Sequence, residues 1–394
     1  MGVVYSKYMT FVSDSIELAE LCARLAKEPY VAIDTEFMRD KTYYSKLCLV
    51  QLAGATDVAA VDPLADGIDL TPLYDLLANP DVLKVFHAAR QDIEIFVHRM
   101  GTVPSPVFDT QIAGMVCGFG DAISYDRMVR ALTGVKLDKT SRFTDWSHRP
   151  LSEHQLTYAL ADVIHLRPSY EALRDRLAKT DRSSWLDEEM ATLTATSTYL
   201  TAPEDSWKRL KVRSTKPKFL VVLQALAAWR ELEAQERDVP RNRVIRDDAL
   251  VDIAAQAPTT TAELARSRAF NSDNAGGKTG STILAAVKQA LDSPKESWPK
   301  VEEKQEMPAG KQPVIDLLKV LLRLNCEDHD VAPKLVANAD DLEAIAIDDN
   351  ADVPALRGWR RKVFGEDALA VKAGRIAFAY DAKAEKIELV ELDD

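Results

Sequence analysis

Long apolar runs are missing from this 394-residue sequence, since none reaches the roughly 18 to 20 residues that a membrane-spanning helix needs. The opening segment, MGVVYSKYMTF, also lacks the charged start and the apolar core of a secretory signal peptide. These absences argue against a membrane protein and against a secreted one. We therefore expect a cytoplasmic protein with no membrane partner.

Cysteine is scarce and widely spaced. The four cysteines, Cys22, Cys48, Cys117 and Cys326, form no C-x-x-C pair. A disulfide framework or a zinc site would need paired cysteines at short spacing, so neither is expected. Buried, reduced thiols are the simpler interpretation.

Positive charge is in deficit, because the formal net charge is −12. This balance excludes a protein that coats nucleic acid with its whole surface, since phosphate binding depends on Lys and Arg. Residues 207–218, WKRLKVRSTKPK, are nevertheless basic without a single acid, whereas the chain after about Asp340 is rich in Asp and Glu. A local basic patch can still hold nucleic acid if it lines the path of the strand.

The first part of the chain alternates short β-rich runs with helical periodicity. Residues 28–37, 46–52 and 57–63 are β-rich and bounded by turn residues, and their quick succession predicts a meander. An apolar run at 82–86 predicts a fourth strand, and residues 90–99 predict a helix. We therefore expect a three-layer α/β domain with a mixed sheet.

A further helix has a clear start in this domain. Ser152 is followed three residues later by Gln155, which is the capping-box pattern of a helix N-terminus. Tyr158 and Asp162 then lie four residues apart, so they share one face of the predicted helix.

The second half of the chain is expected to be helical to its end, with helices at 218–237, 247–255 and 282–291 and a loop at 271–280. The whole chain, at 394 residues, is too long for one ordinary core. We expect four parts, in chain order: 1–200, the α/β domain; 206–294, a helical domain; 295–313, a linker rich in Pro, Lys and Glu; and 314–394, a last helical domain.

An acidic pair in the first predicted strand carries the first functional signal. Asp34 and Glu36 are two residues apart, so both side chains project from the same face of the sheet. Like charges placed together repel, and burying one unpaired is costly, so such a pair usually means that a metal ion neutralises it. Hard oxygen ligands indicate Mg²⁺ or Mn²⁺.

Four segments, taken together and in this order, resemble the DEDDy 3′–5′ exonucleases, and within them the ribonuclease D family; they are AIDTEF at 32–37, HAARQDIEIF at 87–96, FDTQIA at 108–113 and DWSHRPLSEHQLTYALADV at 145–163. The resemblance implies an α/β, RNase H-like exonuclease fold and a reaction that uses two divalent metal ions. It also implies removal of nucleotides from RNA 3′ ends, with transfer-RNA precursors as substrates and nucleoside 5′-monophosphates as products.

The resemblance also assigns roles to five residues. Asp34, Glu36 and Asp162 should hold one metal ion, and Asp34 should reach a second with help from Asp92, directly or through water. Tyr158 would orient the attacking water or help to deprotonate it; its ordinary pKa near 10 makes orientation the safer role.

Four other residues near these motifs have two interpretations each. His87 could contact a phosphate or be a satisfied structural residue, and Asp109 could brace the site or cap the next helix. Phe37 and Met38 could stack on the terminal base or sugar, and packing in the protein core is an equally good interpretation of both residues.

The helical half resembles the HRDC module of ribonuclease D and of RecQ-type helicases, most clearly at 239–254, VPRNRVIRDDALVDIA. Arg241, Arg243 and Arg246 in this segment could follow RNA phosphates, although a charge run is often a solvated face. Residues from about 314 onward resemble a second, divergent copy. The overall expectation is thus an exonuclease domain followed by one or two all-α HRDC-like domains.

Two other functions remain open at this point. A DNA exonuclease of repair or proofreading would use the same metal chemistry, because the metal site does not read the sugar. An inactive nucleic-acid-binding scaffold could keep the fold without the chemistry. We expect RNA as the partner and a monomeric protein.

Overall fold

The structure is a computed structural model that describes residues 9–138, 144–212, 214–267, 275–300 and 307–392. In the first of these ranges six strands form one sheet, and they are β1 Met9–Val12, β2 Tyr30–Met38, β3 Lys46–Ala53, β4 Val58–Val61, β5 Leu83–Phe86 and β6 Val107–Asp109. The helices of this domain are α1 Ser15–Leu25, α2 Thr71–Ala78, α3 Arg90–Met100, α4 Thr110–Val116, α5 Tyr125–Thr133, α6 Glu153–Lys179 and α7 Asp187–Thr194.

The sheet is mixed, with the strand order β1-β4-β3-β2-β5-β6. β2 pairs antiparallel with β3 and parallel with β5, so it lies in the interior of the sheet. The antiparallel run β2-β3-β4 confirms the predicted meander, and β5 and α3 confirm the strand and helix predicted after it. β1 and β6, which the sequence patterns did not indicate, complete the two edges.

Alternating residues of β2 divide the core into two layers. Ala32 packs in the cluster that contains Val163 and Leu166 of α6. Val31 and Ile33 pack in the cluster that contains the apolar residues of α1, α2 and α3. Because strand side chains alternate, the residues of β2 that follow Ala32 at even positions face α6, and those at odd positions face α3.

The helical part begins after a 3₁₀ segment at Pro203–Arg209, and its helices are α8 Pro217–Glu236, α9 Arg241–Val244, α10 Asp247–Gln256, α11 Thr261–Leu264 and α12 Lys278–Asp292. The predicted loop at 271–280 is wrong at its end, because α12 already starts at Lys278; residues 271–274 lie outside the described residues. The predicted linker at 295–313 includes 301–306, which also lie outside the described residues, and its last three residues belong to the next helix.

The C-terminal part contains α13 Lys311–Asp328, α14 Pro333–Val336, α15 Ala339–Ile347, α16 Gly358–Arg360, a π-helical turn Arg361–Gly365 and α17 Glu366–Lys372. The expectation of helix to the end of the chain is wrong here, since β7 Ile376–Asp381 and β8 Lys386–Glu391 form an antiparallel hairpin. No helix in the part of the chain that the structure describes is long and apolar enough to cross a membrane.

The C-terminal part shares a core with the α/β domain. Leu177 of α6 and Leu318 of α13 belong to the same buried cluster. The rings of Trp185 and Trp359 stack with centroids 4.1 Å apart and planes inclined by 7°. Arg360, which is almost fully buried, forms an ion pair with Glu189 at 3.0 Å. Leu177 thus makes α6 a common element of both parts, and Trp185 and Glu189 add contacts from the segment that follows α6.

Candidate active site

β2 brings the acidic pair to the α6 face of the sheet. Asp34 and Glu36 follow Ala32 at even positions, so both carboxylates are directed toward α6. The register of β2 against β3 shifts by one residue between Glu36 and Phe37, and the pairing then continues to Met38. A bulge of this kind redirects the side chains next to it.

α6 supplies the other half of the site. The predicted capping box is confirmed, because Ser152 accepts from the backbone N–H of Gln155 while the Gln155 side chain accepts from the Ser152 N–H. Arg149 holds the segment before the helix by donating two hydrogen bonds of 2.7 Å to the buried carboxylate of Asp62. Tyr158 and Asp162 follow on successive turns and line the same cleft.

The geometry groups three of the predicted carboxylates. Asp34, Glu36 and Asp162 each offer an oxygen atom, and these oxygens lie within 4.8 Å of one another. All three side chains are half-buried. Burial together with mutual repulsion raises the pKa of Glu36 to about 8 and that of Asp34 well above its ordinary value, and burial raises the pKa of Asp162 to about 7. A divalent cation would relieve this repulsion, and an all-oxygen donor set fits Mg²⁺ or Mn²⁺.

Asp92 reaches the site from the other side of the sheet. It lies in the first turn of α3, it is 7% exposed, and its carboxylate accepts a hydrogen bond from the Thr35 hydroxyl. Thr35 faces α3, whereas its neighbours Asp34 and Glu36 face α6. Asp92 thus stands beside the group of three carboxylates and raises the pKa of both Asp34 and Glu36. Burial raises its own pKa to about 7.

Asp109 organises the turn from which Asp92 emerges. Its carboxylate accepts from the backbone N–H groups of Ala88 at 3.0 Å and Ala89 at 2.9 Å, at the start of α3. It also accepts from Gln111 at 2.7 Å, so it caps α4 as well. Asp109 therefore both supports the turn before α3 and caps α4, which are the two roles considered for it from the sequence. The turn needs this support because Ala88 has a positive φ of 56°, a conformation that an L-residue rarely adopts.

A cleft of about 390 Å³ opens over the acidic group, lined among others by Asp34, Tyr158, Asp162 and His87. His87 lies 3.0 Å from the Thr110 hydroxyl through Nδ1. Burial lowers its pKa, so near neutral pH it offers no positive charge to a phosphate. This environment favours the structural interpretation of His87.

Tyr125 is a residue of this cleft that the sequence patterns did not indicate. Its hydroxyl donates to the backbone carbonyl of Asp162, and its ring packs against His87 with centroids 5.3 Å apart. Burial and the carboxylates of Asp162 and Asp34 raise its pKa well above the ordinary value, so it remains a neutral donor. Because it lies outside the recognised motifs, at the start of α5, its sequence gave no signal.

The remaining candidates have structural neighbours of their own. Phe37 packs against the cluster on the α3 face, and Met38 packs against the cluster on the α6 face. Arg241 forms a pair with the buried Glu231 at 2.5 Å, so its charge is offset within the protein. Arg243 and Arg246 are exposed.

Comparisons with known proteins agree with this geometry. Residues 9–178 match the 3′-5′ exonuclease family, and residues 219–287 match the HRDC domain family. The chain is 50% identical over 379 residues to ribonuclease D of Granulibacter bethesdensis, covering 96% of each chain. It is 52% identical over 373 residues to ribonuclease D of Nitrobacter hamburgensis, covering 95% of this chain and 97% of the relative.

A solved structure shows the same architecture. The crystal structure of Escherichia coli RNase D, described as an exoribonuclease involved in structured RNA processing, matches with a TM-score of 0.77 and 30% identity. The match covers 93% of this chain and 99% of the other. With near-full-length identity of about one half to its relatives, the chain belongs to the ribonuclease D family of 3′–5′ exoribonucleases.

Proposed function

We propose that this protein hydrolyses single-stranded RNA from its 3′ end and releases nucleoside 5′-monophosphates, with transfer-RNA precursors among its substrates. The observation that carries the proposal is the group formed by Asp34, Glu36 and Asp162, of which Asp34 and Asp162 line an open cleft together with Tyr158.

Two divalent cations, Mg²⁺ or Mn²⁺, are the proposed cofactors. Asp34, Glu36 and Asp162 would hold one of them, and Asp34 with Asp92 would serve the other. Bound at these carboxylates, the cations would supply an activated water and neutralise the charge on the leaving 3′ oxygen. The raised pKa values of Asp34, Glu36 and Asp162 support this assignment, because burial, and for Asp34 and Glu36 the neighbouring carboxylates as well, disfavour the charged forms that a cation would stabilise.

The side chains would orient the reactants. Tyr158 lies one helical turn before Asp162, and its ring is 6.1 Å from that of the buried Trp146, which restricts the position of the phenol. We propose that its hydroxyl orients the attacking water. Thr35 fixes Asp92, and Asp109 fixes the turn that carries it, so both act through Asp92 rather than on the substrate.

The two helical parts are proposed to be HRDC-like domains, and the first to contact RNA. The order of a long helix, a four-residue helix and a shorter helix in α8–α10 recurs in α13–α15. This repeat supports a second, divergent HRDC-like domain at 314–394, which follows the exonuclease domain at 1–200 and the first HRDC domain at 206–294. Arg243 and Arg246 are exposed and could reach phosphates. We propose a monomer, because a single chain supplies all five site residues, and we expect it to act in the cytoplasm, where its RNA substrates would be.

Parallel digestion of RNA and DNA of the same sequence, each with Mg²⁺ or Mn²⁺, tests the proposal. We expect RNA to be shortened from its 3′ end to mononucleotides, and transfer-RNA precursors to be trimmed. Asp34→Asn and Asp162→Asn should each lower the rate at least about 100-fold, since loss of a metal ligand costs more than the 10- to 100-fold loss of a supporting residue.

Asp66→Asn is a matched control, because Asp66 is exposed and does not line the cleft. Faster digestion of DNA would favour the repair exonuclease. Undiminished activity of Asp34→Asn and Asp162→Asn would overturn the site, and no hydrolysis by the wild type with either ion would favour a scaffold.

A further inference from the structure

A second cleft, of about 480 Å³, lies between the exonuclease domain and the first HRDC-like domain. Its lining includes four arginines, Arg39, Arg90, Arg209 and Arg241, and a single carboxylate, that of Glu94. The concentration of positive charge is unusual in a chain whose net charge is −12. A cleft lined by one sign of charge focuses the field and attracts the opposite sign.

Two of the four arginines are already engaged with acids. Arg241 is held by the buried Glu231, and Arg39 forms an exposed pair with Glu94 at 3.2 Å. Arg90 and Arg209 are exposed and, within the described ranges, form no ion pair with a carboxylate; Arg209 donates only to the Thr201 hydroxyl, at 2.8 Å. Their charges are therefore available to an anionic ligand.

Aromatic side chains lie between the arginines. Tyr43, Tyr44 and Tyr199 line the same cleft. Tyr43 is fixed there because its hydroxyl donates to Glu231 at 2.5 Å and the Arg241 guanidinium lies 4.7 Å from the centre of its ring. Aromatic rings interleaved with arginines are the feature by which proteins bind single-stranded nucleic acid, since bases stack on the rings and phosphates pair with the cations.

Two elements connect the acidic site with this cleft, although no residue that the structure describes lines both. Arg39 follows Glu36 by three residues at the end of β2, which places it roughly 10 Å further along the strand direction. Arg90 precedes Asp92 by two residues in the first turn of α3, about 3 Å along the helix axis. A strand whose 3′ end lies at the carboxylates can therefore extend into the arginine-lined cleft.

We propose that this cleft, assembled jointly by the exonuclease domain and the first HRDC-like domain, binds the phosphodiester backbone of the RNA on the 5′ side of the scissile bond. Arg90 and Arg209 contact phosphates. Tyr43 and Tyr44, which are partly exposed, receive bases, whereas Tyr199 is buried. The assignment rests on the proposed function, because it takes single-stranded RNA as the substrate. It extends that function by naming the surface that holds the part of the strand not being cut.

The test is the binding of a fluorescent single-stranded RNA of about 12 nucleotides, long enough to cover a typical binding groove, measured in EDTA over a range of salt concentrations. The full-length variant Arg90→Gln/Arg209→Gln removes one positive charge from each side of the cleft. Lys27→Gln/Lys288→Gln is the matched control, because both lysines are exposed, one lies in each domain, and neither lines the cleft.

We expect the arginine variant to bind the RNA about ten-fold more weakly than the control at moderate salt. The slope of log affinity against log salt should become shallower by about 1.4, which corresponds to two lost phosphate contacts on a single strand. Arg90→Lys/Arg209→Lys should recover part of the affinity, because the charge returns without the guanidinium geometry.

Binding in EDTA requires no catalysis, so this result does not depend on the activity of the metal site. In the presence of metal, the arginine variant should lose more activity on the long RNA than on a dinucleotide. An arginine variant with the affinity and salt slope of the lysine control would overturn the proposal while leaving the exonuclease assignment intact.

Discussion

The hydroxyl of Thr35 donates a hydrogen bond to the carboxylate of Asp92, and this bond joins β2 to α3 on the face of the sheet opposite to Asp34 and Glu36. Asp92 therefore takes its place in the site through a residue that belongs to the same strand as Asp34 and Glu36. Any change in this bond should alter the site without touching a residue in the catalytic cleft.

Thr35→Val tests this connection. The hydrogen bond from Thr35 lowers the pKa of Asp92, which burial raises to about 7, so its removal should raise that pKa further. A smaller fraction of Asp92 is then in the carboxylate form at neutral pH. We expect about ten-fold lower activity near pH 7 and a smaller loss near pH 9, measured as a pH–rate profile. Thr35→Ser keeps the hydroxyl and should retain the wild-type profile; equal losses at both pH values would contradict the mechanism.

Folding of the metal-free protein should depend on pH through the same acids. Unfolded carboxyl groups have pKa values near 4, whereas those of Asp92 and Asp162 are about 7 and that of Glu36 about 8 in the folded protein. Between about pH 4 and these folded pKa values, the native state therefore binds more protons than the unfolded state. Each group contributes stability that is complete below about pH 4 and is lost as the pH rises through the folded value.

The measurement for this prediction is thermal unfolding in EDTA. We expect the melting temperature to fall by about 4 °C between pH 6 and pH 8.5. Asp162→Asn should show a weaker dependence, because one of the titrating groups is gone. A melting temperature that rises over this range would show that the carboxylates are not destabilised as charged groups.

Divalent ions should reverse this instability. A ligand that binds only the native state at about 100 times its Kd adds about 2.7 kcal/mol to the free energy of unfolding. We therefore expect Mn²⁺ to raise the melting temperature of the wild type at pH 8 by several degrees. Asp34→Asn should lose most of this increase and Asp66→Asn should keep it, whereas an equal increase in all three proteins would indicate binding elsewhere.

Tyr43 should be important for the contact between the first two domains. Its hydroxyl donates to Glu231, which is 1% exposed, and accepts from Gln235 at 3.1 Å. Tyr43→Phe removes these bonds and leaves a buried carboxylate with one donor fewer, which costs about 1–3 kcal/mol. The measurement is urea unfolding. Tyr380→Phe is the control, since Tyr380 is 66% exposed, and identical midpoints for the two variants would refute the prediction.

Local patterns were sufficient to predict the elements that carry the acids. The alternation in β2 placed Asp34 and Glu36 on one face of the sheet, and the capping box before α6 placed Tyr158 and Asp162 on one helix. The resemblance to a known family then joined these residues and Asp92 into one site. Their catalytic roles remain predictions.

Contacts between distant residues could not be predicted in this way. Tyr43 and Arg241 are 198 residues apart, and nothing in either neighbourhood indicates that they meet. Arg241 was accordingly grouped with Arg243 as an RNA contact, although its guanidinium is paired with Glu231. The partner that neutralises a charge is a property of the fold and not of the local sequence.

The C-terminal hairpin was missed for a different reason. The segment KIELVE alternates apolar and charged residues, which is a strand pattern, but it is short and follows a long helical region. The residues of β8 are also mostly exposed, so the strand has no buried apolar face. An exposed two-stranded ribbon is the kind of element that periodicity identifies least well.

The shared helix α6 determines how deletions of this protein should be interpreted. Removing residues 311–394 would uncover the apolar turns around Leu177, at the far end of the helix that carries Tyr158 and Asp162. A shortened chain that lost activity would thus report damage to the scaffold of its own catalytic groups, not the absence of an RNA-binding module. To distinguish damage to the scaffold from loss of RNA binding, single exposed residues must be substituted in the full-length chain.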